Sequence, residues 1–384
     1  MIDYRAGNSV RLLENGADYF PALEEAIDAA RTDVYLETYI FADDPSGRRI
    51  AAAMLRAAAR GVRVRIAVDG FGSKSFMGQI LDEIGAQGVQ VAIYRPETKT
   101  FNLSRNRLRR LHRKLSVIDG KVAFIGGINI IDDLNGITEP PPRFDYAVRV
   151  EGPLLIDICD VANRMWSLLV WSRFGHRRIR PPPLIADPTE AGDLRAAFVY
   201  RDNFRNRRDI EYGYLAAIGN ATEDVFIANA YFFPGRHFRR ALTDAAKRGV
   251  RVRLLLQGKV EYVLAHYASR ALYEMLLDAG VEISEYIGSF LHAKVAVVDR
   301  QWATVGSSNI DPFSLMLSRE ANVFVRDHGF AERLHESLEK AAAEGARKVE
   351  AARWRDRSLV DRALTTLFYG IARRLMGLIG MSDR

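Results

Sequence analysis

The sequence predicts an α/β protein built as two duplicated α/β domains related by a pseudo-twofold, followed by a C-terminal amphipathic helix. Short Val/Ile/Leu/Phe runs alternate with helix-period segments along most of the chain. The order of these segments occurs twice, and Gly-Val-Arg-Val-Arg is identical at 61–65 and 249–253. One polar pattern, His-x-Lys-(x)4-Asp-(x)6-Gly-x-x-Asn, falls at the same place in both copies.

In chain order, a helical stretch at Ala22–Ile27 leads to a strand at Asp33–Phe41, a helix at Arg48–Arg60 and a strand opening at Gly61-Val62. The second copy reads Tyr214–Ile218, Asp224–Phe233, Arg236–Arg248 and Gly249-Val250. A further Gly-Val start precedes each polar motif, at Gly88-Val89 and Gly280-Val281. Pro181-Pro182-Pro183 marks a stiff linker. The expected domains are therefore 1–185 and 192–343, with a helical tail at 344–384. In the tail, Leu359, Val360, Ala363, Leu364, Leu367, Phe368, Ile371, Leu375, Met376 and Ile379 recur at helical spacing. Asp361, Arg362, Thr365, Thr366, Arg373 and Arg374 take the opposite side.

The bulk properties suit a folded protein. Of 384 residues, 48% are hydrophobic and 27% charged. The net charge of +7 favours anionic partners: nucleic acid, an anionic membrane or a phosphate-bearing substrate. The one cysteine, Cys159, excludes an intramolecular disulfide and sits in an apolar run as a core residue. No basic region followed by an apolar core opens the chain, so no signal peptide is expected. No apolar run reaches the roughly 18 residues of a spanning helix, so membrane contact is expected to be peripheral.

The motifs carry the chemistry. The first copy comprises His112, Lys114, Asp119 and Asn129; the second comprises His292, Lys294, Asp299 and Asn309. Residues two apart on a strand share a face, so each His-x-Lys pair points one way. Asp119-Gly120 and Asp299-Arg300 are placed for tight hairpin turns that return Asn129 and Asn309 beside that face. Two such faces meeting across a pseudo-twofold would gather two imidazoles, two ammonium groups and two amides, a site for a phosphodiester. Lys114, Lys294, Asn129 and Asn309, with Ser307 alongside, can bind the phosphate oxygens. One histidine can attack phosphorus while the other protonates the leaving alkoxide. No metal or other cofactor is required, and the histidines and cysteine show no zinc-type spacing. A nucleophilic histidine needs its second nitrogen held by an acceptor. Asp145 and Glu320 each open a strand after a motif, and the expected pairing is Asp145 with His112 and Glu320 with His292.

The paired motifs resemble those of the phospholipase D superfamily, over about residues 8–340. The resemblance implies a phosphohistidine intermediate on one motif histidine and a mainly structural role for Asp119 and Asp299. Three stretches, 37–44, 124–130 and 304–311, are most similar to bacterial cardiolipin synthases of the short type without N-terminal spans. That implies phosphatidyl transfer between phospholipids, with phosphatidylglycerol as donor and acceptor and glycerol released. It also implies peripheral attachment to the cytoplasmic face of a bacterial inner membrane. Hydrolysis to phosphatidic acid and an endonuclease activity are alternatives that the same motifs serve. A non-enzymatic lipid-binding module would predict decay of one motif, and both are intact.

Two surface features bear on partners. The helix at 359–379 is suited to lie in a lipid interface with its arginines near anionic headgroups. Arginines cluster at Arg105, Arg107, Arg109, Arg110 and Arg113, at Arg173, Arg177, Arg178 and Arg180, and at Arg201, Arg205, Arg207 and Arg208. Guanidinium groups bind phosphates of lipid or nucleic acid. Aromatic interleaving is sparse in these clusters, which disfavours single-stranded nucleic acid.

Overall fold

The computed structural model describes residues 2–74, 78–96, 109–134, 142–174, 181–202 and 205–378. Arg105, Arg107, Arg177, Arg178, Arg180 and Ile379 lie outside the described residues. The first half runs β1 (Arg5–Glu14), α1 (Asn15–Ala29), β2 (Asp33–Thr38), α2 (Pro45–Ala59), β3 (Arg63–Asp69), α3 (Ile80–Ala86) and β4 (Gln90–Tyr94). It continues with β5 (Lys114–Ile118), β6 (Val122–Gly126), β7 (Tyr146–Glu151) and α4 (Leu155–Phe174). The second half opens with β8 (Leu194–Arg201), α5 (Asp209–Asn220), β9 (Asp224–Asn229), α6 (Arg236–Lys247), β10 (Arg251–Gln257), α7 (Val263–Arg270) and α8 (Tyr273–Asp278). Then come β11 (Glu282–Tyr286), β12 (Lys294–Val298), β13 (Trp302–Gly306), α9 (Pro312–Met316), β14 (Glu320–Arg326) and α10 (His328–Gly345). The chain ends with β15 (Ala346–Lys348), α11 (Ala351–Arg355) and α12 (Leu359–Leu378).

Local chemistry sets these boundaries. The Asp44 carboxylate caps α2 by accepting from Gly47 N, and Pro45 occupies the first helical turn. Gly61 and Gly249, the repeated strand openers, have φ of 86° and 91°, the left-handed conformation in which helices commonly end. The β5–β6 hairpin turns through Asp119 (φ 51°) and Gly120 (φ 64°), and the β12–β13 hairpin through Asp299 (φ 49°) and Arg300 (φ 50°). Lys121 N donates to Ile118 O and Gln301 N to Val298 O, so the two left-handed residues close a tight turn and a third residue leads into each return strand.

The strands form one sheet in the order β15-β11-β10-β9-β12-β13-β14-β8-β1-β7-β6-β5-β2-β3-β4. Its centre is the antiparallel β1–β8 pair. Outward from that pair the two halves match strand for strand, β7 with β14, β6 with β13, β5 with β12, β2 with β9, β3 with β10 and β4 with β11. In each half three parallel strands carry the crossover helices, and the motif hairpin is antiparallel to them. The halves face one another, with β6 and β7 against β13 and β14. The core between them takes one face of each half's strands together with α4 and α10. The opposite faces bury against α1, α2 and α3 in one half and α5, α6 and α8 in the other. Cys159 belongs to the central core, where burial pushes its thiol up to about 12.

The proline segment is pinned rather than free. Pro182 O and Pro183 O accept from Arg65 and Arg63, and Asn163 makes two hydrogen bonds with the Leu184 backbone. The tail helix α12 lies on α7, with Phe368 stacked on Tyr267 at 5.3 Å and Tyr369 edge-on to Phe233. Its packed side includes Thr365, which is buried, and Asp361, which pairs with Arg357. Both residues were expected on the polar, outward side. The Thr365 hydroxyl donates to Asp361 O within the helix, so burying it leaves no unmet hydrogen bond. The outward side instead carries Leu359, Val360, Leu367 and Ile371, with Leu359 80% and Leu367 57% exposed.

Candidate active site

The seam between the halves is built by reciprocal backbone hydrogen bonds. His112 N donates to Arg319 O at 3.0 Å, and Arg319 N returns to Arg110 O at 2.8 Å. Likewise His292 N donates to Phe144 O at 2.8 Å, and Phe144 N donates to Phe290 O at 2.9 Å. Each segment that leads into a motif histidine thus runs beside the segment that opens β14 or β7 in the other half.

This pairing corrects the expected carboxylate assignment. His112 Nδ1 lies 3.0 Å from Glu320, and His292 Nδ1 lies 2.6 Å from Asp145. Each imidazole is held by the half to which it does not belong. Within one half, β6 separates β5 from β7. Two strand spacings, about 10 Å, therefore keep Asp145 from its own His112. Across the seam the neighbouring residues Arg319 and Phe144 deliver Glu320 and Asp145 directly.

All four of these side chains are buried or nearly so, with His112 the most open. Burial lowers the His112 pKa, aided by Lys114 and opposed by Glu320. His292 is pushed well down by burial, then by Lys294 and Arg143. Burial pushes Asp145 up to about 6, against the pull of Lys294. Lys114 and Lys294 are fully enclosed, and burial brings them down to about 7 and about 8. Their ammonium groups donate to the carbonyls of His112 and His292, two residues back on the same face. Lys294 Nζ also lies 3.9 Å from Asp145. A group poised near neutrality is readily recharged by an incoming phosphate, which favours the protonated lysine.

The remaining expected residues divide. Asn129 and Asn309 are buried. Asn129 Oδ1 accepts from Ile40 N at 3.2 Å, and Asn309 Nδ2 makes a 3.5 Å contact with Ser314 Oγ. Ser307 is fully buried and its hydroxyl donates to Glu320 at 2.5 Å, so it holds the carboxylate that holds His112. The equivalent position in the first half is Gly127, packed against the Asp145 carboxylate with no room for a Cβ.

Asp119 and Asp299, motif members for which the resemblance implies a mainly structural role, lie away from the histidines. A five-residue strand, about 16 Å long, separates each from its histidine. Asp119 accepts from Arg31 N, Thr32 N, Thr32 Oγ1 and Asp33 N, and Asp299 from Thr222 N, Thr222 Oγ1, Glu223 N and Asp224 N. Burial alone would raise both carboxyl pKa values, but these donors outweigh it and lower them. The aspartates fasten each hairpin turn to the loop that opens β2 or β9.

The arginine clusters also resolve. Arg113 is buried and paired with Glu37 at 2.9 Å, and Arg201 is buried and donates to Ser318 O, so neither presents charge to solvent. Arg110 sits over the Phe71 ring and 3.7 Å from Asp69.

Sequence reasoning missed several residues at the site. Tyr39 sets its ring 4.8 Å from that of His112 and 5.4 Å from Lys114 Nζ. Asp69 Oδ2 accepts from Leu111 N at 2.8 Å, and Gln257 Oε1 accepts from Leu291 N at 3.2 Å. Both brace the residue before a motif histidine. The signal was present: each stands six residues after the first arginine of the repeated Gly-Val-Arg-Val-Arg.

Known proteins share this chain's pattern and fold. The family described as "Cardiolipin synthase, PLD-like domain" matches residues 23–135 and 214–342. The chain is 38% identical to Cardiolipin synthase B of Escherichia coli over 98% of its own length and 91% of that protein. Cardiolipin synthase of Geobacillus thermodenitrificans is 32% identical, over 82% of this chain and 62% of that one. Among solved structures, a phosphatidylserine synthase of Haemophilus influenzae superposes with a TM-score of 0.73 at 13% identity, covering 99% of this chain and 97% of that one. That likeness is one of fold. With both motif-bearing segments matched and relatives this similar along nearly the whole chain, the chain belongs to the cardiolipin synthase family with PLD-like domains.

Proposed function

We propose that the protein makes cardiolipin from two phosphatidylglycerol molecules, releasing glycerol, through a phosphatidylated histidine. The observation that carries this reading is the seam itself, where two histidines with their Nδ1 atoms held by carboxylates share a buried site with two lysines. With Nδ1 fixed, Nε2 is the free nitrogen of each ring. One Nε2 attacks the donor phosphorus. The bond to the headgroup oxygen breaks, and that oxygen takes a proton from the other, protonated histidine. The second histidine, now neutral, then accepts the proton of an acceptor hydroxyl. The acceptor oxygen attacks phosphorus, and the phosphorus–nitrogen bond breaks with its electron pair returning to imidazole. Lys114, Lys294 and the amides of Asn129 and Asn309 offer the positive charge and donors that the non-bridging oxygens need as charge develops. Ser307, Asp145 and Glu320 act by positioning.

The substrate is delivered by a membrane. Among the described residues no helix is long and apolar enough to cross one. The outward face of α12 joins Leu359, Val360, Leu367 and Ile371 to Arg362, Arg373 and Arg374, a pairing of apolar surface and cationic rim that fits an anionic lipid interface. The place of action is the cytoplasmic face of a bacterial inner membrane, held peripherally.

The test is incubation of purified protein with phosphatidylglycerol vesicles, phosphatidylcholine vesicles and plasmid DNA in parallel. Cardiolipin with stoichiometric glycerol supports the reading. Phosphatidic acid as the sole lipid product would replace transfer with hydrolysis, and nicked DNA with intact lipid would refute both.

A further inference from the structure

The two halves differ beside the reaction centre, and the difference marks one half for the acceptor. In the first half the residue after β2 is Tyr39, and Gly72 lies so close to it that a Cβ there would meet the Tyr39 ring and carbonyl at 2.5–2.6 Å. Asp69, at the end of β3, is fully used: it accepts from Phe71 N, Gly72 N and Leu111 N. In the second half the residue after β9 is Ala230, and the end of β10 carries Gln257 in place of Asp69. A shallow, solvent-open depression lies there, lined by Ala230, Tyr231, Gln257, Lys259, Glu261 and Tyr262 among others.

Two of the lining residues hold the backbone on either side of His292. Ala230 N donates to Ala293 O, between His292 and Lys294, and Gln257 Oε1 braces Leu291 N. Gln257 is only 9% exposed, and its Nε2 has no hydrogen-bond partner. A buried amide donor left unmet is costly unless a ligand meets it. Glu261 lines the same pocket, accepts from Tyr231 OH at 2.5 Å and lies 3.5 Å from Arg143 Nη1.

We infer that this pocket, resting on the transfer reading above, is the acceptor subsite, and that it selects a neutral vicinal diol, the glycerol end of the second phosphatidylglycerol. The Gln257 amide donates to one hydroxyl and the Glu261 carboxylate accepts from its neighbour. That directs the outer hydroxyl toward His292, which takes its proton as the oxygen bonds to phosphorus. A cationic headgroup is the poorer match, because Arg143 already neutralises Glu261 and Lys259 adds a second positive charge.

The experiment follows labelled glycerol into phosphatidylglycerol, and the ratio of cardiolipin to phosphatidic acid, with the full chain on phosphatidylglycerol vesicles. Gln257→Glu keeps an acceptor for Leu291 N and removes the donor. The KM for glycerol is expected to rise about tenfold, the size of one lost hydrogen bond, and the product ratio to fall with it. Ala230→Val, which narrows the pocket without touching a polar group, is expected to move both readouts the same way. An unchanged glycerol KM in both variants overturns the inference. So does a parallel fall of both products at constant ratio, the mark of a displaced His292, or stronger competition by ethanolamine than by unlabelled glycerol. Wild-type protein that makes no cardiolipin and incorporates no glycerol refutes the transfer reading itself, a separate and distinguishable failure.

Discussion

At the scale of single residues, the exchange of carboxylates across the seam decides how each imidazole works. Asp145→Asn is expected to slow turnover by about a hundredfold or more, in the range of a lost orienting group in general acid–base catalysis. In a double-mutant cycle its effect should be strongly non-additive with changes at His292, the residue it touches. Rate measurements showing stronger coupling of Asp145 to His112 would restore the within-half pairing. Asp145, raised to about 6 by burial, is protonated below that pH and releases its hold on His292. Lys114 and Lys294, lowered to about 7 and about 8 by burial, lose positive charge as pH rises through those values. The kcat/KM profile should therefore be a bell with its maximum between pH 6 and 8. A flat profile across that interval would contradict the burial argument. The motif letters made the six histidine, lysine and asparagine positions legible from sequence. They did not reveal which carboxylate meets which histidine, because period-two reasoning fixes the face of a strand and says nothing about the strand across a seam.

At the scale of elements, each motif aspartate serves its hairpin and each tail residue serves its helix. Asp119→Ala removes the acceptor of four hydrogen bonds at the β5–β6 turn. It is expected to cost about 2–4 kcal/mol of stability, a figure kept low because the turn is partly exposed to water. Thermal unfolding should show the loss, while kcat per folded molecule stays within about threefold on the view that only folding is touched. A kcat collapse without a change in Tm would return Asp119 to the chemistry. The triple change Val360→Glu, Leu367→Glu and Ile371→Glu alters only the outward face of α12. It is expected to abolish flotation with anionic liposomes at unchanged Tm. Retained flotation would place the membrane contact elsewhere. Whole-helix deletion is a less clean test, because the inward face of α12 packs on α7, which helps line the acceptor pocket. Helical spacing in the sequence announced the tail helix, but it has apolar residues on two sides. Periodicity alone could not say that Thr365 and Asp361 belong to the packed one.

At the scale of the whole molecule, duplication has produced one continuous sheet with a single site at its seam. The repeated Gly-Val-Arg-Val-Arg and the matched motifs predicted the two halves and their pseudo-twofold. β1 and β8, which join the halves, left no comparable mark, because neither carries a motif or a repeated word. The departures from symmetry carry as much meaning as the symmetry: Ser307 against Gly127, Ala230 against Tyr39, Gln257 against Asp69. Two half-sites that are nearly the same but not identical can divide the work of donor and acceptor within one site. The most direct test of this composite site is mass spectrometry of protein acid-quenched during turnover of phosphatidylglycerol. The expected result is one phosphatidyl adduct per chain, on His112 or on His292 but never on both, and loss of turnover in both His112→Ala and His292→Ala. Two adducts on one chain, or substantial turnover with either histidine replaced, would contradict it.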